Sequence, residues 1–150
     1  MEYLVRDCKE EDLFILVKLC QKHADFEQAE YNPEGKEELL RNALFSNSKR
    51  LFCLVVEVDS KVVGYTSYTF DFSTWDAKQF LYMDCLYLEP DFRGYGIGEN
   101  LIDKLKIIAQ QENCVNMQWQ TPVFNERAVK FYKRIAAAGK EKVRFTSNLE

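Results

Sequence analysis

Histidine is nearly absent from this chain: His23 stands alone among 150 residues. No second imidazole is available to share a zinc site, and His23 itself reads as a helix histidine, satisfied by a neighbour or exposed. Cysteine occurs five times, at 8, 20, 53, 85 and 114. That odd, scattered set supplies neither a disulfide framework nor a paired metal-ligand spacing. The thiols are expected to be reduced and mostly buried, as in a cytoplasmic protein. Six glycines and three prolines make no linker, and there is no internal repeat. No apolar run approaches the roughly 18 residues of a membrane span, and the opening MEYLVRDCKEED lacks the basic-then-apolar order of a signal peptide. Twenty basic and 24 acidic residues alternate along the chain, leaving a formal charge of −4. Nothing in that balance recruits nucleic acid.

What is present is ordinary for a soluble globular protein: 47% apolar and 29% charged residues. Residues 1–150 are read as one domain, long enough for a sizeable core. YLVRD (3–7) predicts a short opening strand, and Asp12 or its acidic neighbours begin a helix with Leu13, Val17 and Cys20 on one stripe. A second, shorter helix follows Pro33 and Gly35. RLFCLVVEVD and VVGYTSYTF predict consecutive antiparallel strands turned by DSK. After a polar, aromatic loop DFSTWDAK comes a strand from Phe80 to Leu88. A helix then places Ile97, Leu101, Leu105 and Ile108 on one side, followed by a strand in CVNMQWQT, a helix in NERAVKFYKRI and a closing strand in EKVRFTS. The expected class is α/β, a mixed central sheet flanked by helices.

RGYGIG (93–98) joins the predicted strand to the predicted helix, with three glycines in six positions. Glycine permits close backbone approach and φ values that other residues resist. Unpaired amides at a helix start favour an anion. The loop is not a P-loop, because no GK[ST] follows. It also lies too late in the chain for a dinucleotide fold, whose glycines follow the first strand. Its setting between strand and helix points to a diphosphate.

With R-x-x-G-x-G in Arg93, Gly96 and Gly98, and with Asn125, Ala128 and FYKR (131–134) on the next helix, the sequence resembles the GNAT acyltransferase superfamily. Within it the chain is most similar to the diamine and thialysine acetyltransferases, through YLVRDCKEED, VVGYTSYTFDF with Trp75, and YMDCLYLEPDFRGYGIG. The resemblance covers essentially the whole chain. It implies the GNAT fold, acetyl-CoA as co-substrate, no metal, and a homodimer. It also implies that Arg93, Gly94, Tyr95, Gly96, Ile97 and Gly98 hold the pyrophosphate. The pantetheine arm would pair like a strand with Leu86 and Leu88, in a slot where that strand splays from CVNMQWQT. Asn125 would contact the cofactor, and Tyr132 would protonate the leaving thiolate.

An alkylamine is mostly protonated at neutral pH, with a pKa of about 10 by analogy with lysine. A carboxylate in reach, directly or through one water, must take its proton. Asp84, on the strand before the loop, occupies the place where the diamine acetyltransferases carry a glutamate. A backbone amide near Leu86 would polarise the carbonyl. Glu27, Glu30, Tyr31, Asp71, Trp75 and Asp76 could form an acidic, aromatic mouth for a cationic amine. Four departures from the diamine group stand out: aspartate at 84, Cys85 in place of an aspartate, one extra residue in the Trp75 loop, and Ala136 where glycine is common. The expected reaction is acetylation of a small cationic amine. A protein lysine or N-terminal acetyltransferase, and a non-catalytic acyl-CoA-binding regulator, remain open alternatives.

Overall fold

The computed structural model describes residues 1–135 and 137–149. Asp59 and Ser60 both take positive φ, 49° and 62°, and close a two-residue hairpin between β2 (Phe52–Val58) and β3 (Lys61–Ser73). Such turns match the twist of the strands they join. With β1 (Leu4–Asp7), β4 (Lys78–Leu88) and β5 (Met117–Gln118), the described strands form one sheet in the order β1-β2-β3-β4-β5. The first three pairings are antiparallel; β4 and β5 run parallel. The sheet is therefore mixed, as expected. Among the described residues four α-helices accompany the strands: α1 (Leu13–Phe26), α2 (Lys36–Phe45), α3 (Ile97–Gln111) and α4 (Glu126–Arg134). Two compact units result, Met1–Gln120 and Thr121–Glu150, the second containing α4.

Both faces of the sheet in the first unit are covered. Val55 and Val56 are each fully buried and point to opposite sides. Val55 joins Cys53, Tyr65 and Tyr87 beneath Leu13, Leu16 and Leu19 of α1 and Leu44 of α2. Val56 joins Val58 and Val63 beneath Ile97 and Leu101 of α3, where Leu86, Leu88 and Phe92 also pack. The buried row of α1 is thus Leu13, Leu16 and Leu19, not Leu13, Val17 and Cys20. The helix meets the sheet along an i, i+3 ridge, which leaves Val17 and Cys20 half-buried at its flank.

Asp12 stands just before α1 but does not cap it. Its carboxylate accepts from Arg6 at 2.7 and 3.0 Å and from the Lys9 amide at 2.7 Å. Burial pushes this carboxyl up, but Arg6 and the Lys9 N–H outweigh it and hold it below its ordinary value.

Three expected elements change. Half of residues 71–78 is strand, because Asp71 pairs with Phe80, Phe72 with Gln79 and Ser73 with Lys78, leaving a turn at 74–77. The strand expected over 114–121 shrinks to Met117–Gln118. The closing strand expected over 141–147 does not form; residues 137–149 carry no helix or strand, and Val143 and Phe145 are exposed. A strand needs a neighbour for its backbone groups, and no described strand pairs with this segment. Ala136 lies outside the described residues.

Candidate active site

β4 pairs with β3 along nearly its whole length, but the register slips once. Ser67 faces Cys85 while its neighbour Tyr68 faces Met83, so Asp84 has no partner across the ladder. A one-residue bulge of this kind redirects the strand and re-aims a side chain. The Asp84 side chain is exposed. On the far side, β5 pairs with β4 only at Leu81 and Tyr82, just short of the bulge. From Met83 to Leu88 that edge of β4 has no strand beside it among the described residues. The Glu89 amide donates to the Val63 carbonyl at 2.9 Å. Counting back in twos directs the amides of Tyr87 and Cys85 toward β3 and those of Leu88 and Leu86 toward the open edge.

The edge runs into the glycine loop. Gly94 and Gly96 take φ of 86° and 80°, and a Cβ at either would meet nothing within 4 Å. Glycine is demanded here by the backbone, and the space beside it is open. Gly96 is the residue immediately before α3, and its carbonyl accepts the first helical bond, from Asn100, at 3.1 Å. The opening amides of α3 therefore lack intrahelical acceptors and lie beside that space. Leu86 and Leu88 share a core with Ile97 and Leu101, which fixes the open edge against the helix start. A ligand with an amide-bearing arm and an anionic end fits this arrangement.

Asp84 has specific neighbours. The Cys85 thiol donates to its Oδ2 at 3.6 Å. Burial, with the Asp84 charge adding to it, pushes that thiol up to about 12, so it stays a donor. Behind it the buried Tyr65 hydroxyl faces the thiols of Cys20 and Cys85 and lies 3.2 Å from His23 Nδ1. Tyr31, beside Cys20, is pushed up to about 12, chiefly by burial. His23 stacks on Tyr87 at 5.4 Å between centroids, and its Nε2 is 2.8 Å from Glu27.

The model of the acetyltransferase (GNAT) family matches residues 16–137. The chain belongs to that family. It is similar to the thialysine N-epsilon-acetyltransferase of Bos taurus, with 31% identity over 89% of this chain and 83% of the relative. An integron cassette protein from the mobile metagenome of V. cholerae superposes with a TM-score of 0.75 at 28% identity, covering 99% of this chain and 94% of that one. An aminoglycoside N-acetyltransferase solved in complex with CoA shares the fold, with a TM-score of 0.79 at 15% identity over 98% and 95% of the two chains.

Within the GNAT frame the expected site residues divide. Asp84, Leu86, Leu88 and the 93–98 loop adjoin one another along β4 and the start of α3. Arg93 is partly engaged: its Nε donates to the Leu88 carbonyl at 2.9 Å, and its guanidinium lies over the rings of Phe26 and Tyr87. Glu27 faces His23, which is thus a satisfied helix histidine. Asp71 and Trp75 are not beside Asp84 in this chain. Asp84 to Lys78 is six residues of strand, or about 20 Å, and Trp75 lies beyond that, fully exposed. In the second unit, Asn125 caps α4, its Oδ1 accepting from the Ala128 amide at 3.3 Å. Tyr132 is half-buried on α4, with its ring 5.3 Å from that of Phe131.

Sequence reasoning missed Gly64, Tyr65 and the bulge. A Cβ on Gly64 would come within 2.5 Å of Leu88 Cδ2 and 2.7 Å of the Tyr87 carbonyl. A glycine inside a strand was the available signal for such close approach. Among the described residues, no group of three or more His, Cys, Asp or Glu side chains could hold a metal ion, and no helix is long and apolar enough to cross a membrane.

Proposed function

We propose that this chain moves the acetyl group of acetyl-CoA to the primary amine of a small cationic acceptor, thialysine-like or polyamine-like, by direct attack in a ternary complex. The open edge of β4, running from the Asp84 bulge to the glycine-capped start of α3, carries this reading. The names of the thialysine acetyltransferases support it on the acceptor side. Bound acetyl-CoA supplies the activated acetyl thioester. The outward amides of Leu86 and Leu88 pair with the pantetheine arm, and one of them polarises the thioester carbonyl. Residues 93–98 hold the pyrophosphate with the helix-start amides and Arg93. Asn125 contacts the cofactor.

Asp84 takes the proton of the acceptor ammonium, directly or through one water, and the neutral amine then attacks. Tyr132 returns a proton to the departing thiolate. Glu27, with Asp84, draws in the cationic acceptor. The enzyme works as a cytoplasmic homodimer. The exposed Phe72 and Trp75 at the tip of the β3–β4 hairpin support a partner surface; the five free thiols support the compartment.

The test is thiol release at fixed acetyl-CoA across a panel of thialysine, polyamines, lysine-containing peptides and peptide N-termini. Release that depends on the small amines is expected. Release with peptides alone would move the enzyme to the protein acetyltransferases. Binding of CoA with no release on any amine would make it a non-catalytic binder.

A further inference from the structure

Two of the five cysteines face each other at the opposite end of the sheet from the glycine loop. Cys8 directly follows β1, and Cys53 is the second residue of β2. The ladder ends on the pair Asp7 and Leu54, so Cys8 and Cys53 are the next pair in register. The Cys8 amide confirms it, donating to the Cys53 carbonyl at 3.0 Å. Both side chains lie on the same face, in the core beneath Leu44 of α2, with 8% and 7% exposure. They also line a pocket with Leu44, Phe52, Tyr68 and the exposed Lys49. The two sulfurs thus border a cavity instead of lying in solid core.

We propose that Cys8 and Cys53 form a reversible dithiol/disulfide pair, oxidised by a low-molecular-weight disulfide entering this pocket. Hydrogen-bonded antiparallel pairs have Cα atoms about 5.5 Å apart, inside the range of roughly 4.4–6.8 Å that a disulfide spans. Their Cβ atoms, about 4.5–5.5 Å apart, must close to about 3.5–4.5 Å. That movement falls on Cys8, which lies beyond the last paired residue of β1. A bridge formed under such strain is a readily reduced one.

The two thiols are unequal. A hydrogen bond from Cys53 holds the Cys8 thiol below its ordinary value despite burial, and the Cys53 thiol is correspondingly raised well above its own. Cys8, which lies past the last ladder residue of β1 while Cys53 is held inside β2, is the attacking sulfur. Its thiolate displaces one thiolate from the incoming disulfide and forms a mixed disulfide. Cys53 then gives up its proton, attacks the Cys8 sulfur and expels the second thiolate. The protein loses two electrons and two protons, and the small disulfide leaves as two thiols.

The experiment uses the reduced full-length chain and oxidised glutathione as the probe. After alkylation and digestion, mass mapping is expected to find the Cys8 and Cys53 peptides joined, lighter by two hydrogens. Titratable thiols should fall from the five in the chain to three, and dithiothreitol should restore all of them. Cys53→Ser should instead trap glutathione on Cys8. The wild-type map decides even if that variant fails to fold. A folded, oxidised wild type without the Cys8–Cys53 link, or with Cys20 joined to Cys85 instead, would overturn the proposal.

Discussion

Arg93 is tied to the strand whose open edge it follows: its Nε donates to the Leu88 carbonyl at 2.9 Å. Leu88 is an outward-facing residue of β4, so this bond occupies the last outward carbonyl and fixes the glycine loop to the strand end. The guanidinium also lies 4.9 Å from the centroid of Phe26 on α1. Arg93 thus positions the loop as well as carrying charge toward it. Arg93→Met is expected to weaken CoA binding about tenfold or more, since a charged hydrogen bond is worth roughly 1.5 kcal/mol or above. Calorimetric titration with CoA checks this, with circular dichroism to show an unchanged fold. Unaltered affinity would remove Arg93 from the binding loop.

Gly64 meets Leu88 from the other side of the same strand. Gly64→Ala places a methyl against the Tyr87 carbonyl and the Leu88 side chain, so β4 must shift where its outward edge ends. The expected result is a raised KM for acetyl-CoA and a lowered Tm, by about 1–3 kcal/mol in stability, as overpacking costs elsewhere. A variant with wild-type KM and Tm would show that β4 yields there without consequence.

The Arg6–Asp12 pair supports the start of α1, away from the chemistry. Its side chains are only 18% and 8% exposed. Asp12→Asn is expected to cost about 3 kcal/mol, the lower end of what breaking a buried pair costs. Because the folded Asp12 carboxyl lies below its ordinary value, its contribution is full above about pH 4. It is lost as pH falls further, through the folded value. Urea unfolding of both proteins should therefore differ most near neutrality and converge in acid. A gap that persists undiminished in strong acid would contradict the account.

Much of this was legible in the sequence, for identifiable reasons. Leu101 and Leu105 repeat at helical spacing and both are fully buried. The Asp59–Ser60 turn separates two apolar, β-branched-rich runs, and Gly94 and Gly96 sit where positive φ was expected. The bulge at Asp84 was not legible. LYMDCLYL is apolar on both faces, so a one-residue slip leaves no break in its pattern. Nor could spacing reveal that Cys85 would donate to Asp84 or that Tyr65 would meet His23, forty-two positions away. Glu27 and His23 were visible as an i, i+4 pair, but not which of them would face inward. The Trp75 loop misled because its polar residues mask strand pairing supplied by β3 and β4 themselves.

Tyr132→Phe is expected to leave CoA affinity intact and slow thiol release. The defect should be smaller with an acetyl thioester whose thiol leaves more easily, because less protonation is then needed. Equal defects with both donors would assign Tyr132 to packing alone.

The most direct test is kcat/KM against pH for wild type and Asp84→Asn, with a small amine acceptor. If Asp84 takes the ammonium proton, the variant should lose about 100-fold or more near neutral pH, the usual worth of acid–base catalysis. The loss should shrink as pH rises, because free amine then forms without help from the enzyme. A folded Asp84→Asn protein with full activity across the range would contradict the account, and would leave proximity of amine and thioester as the source of rate.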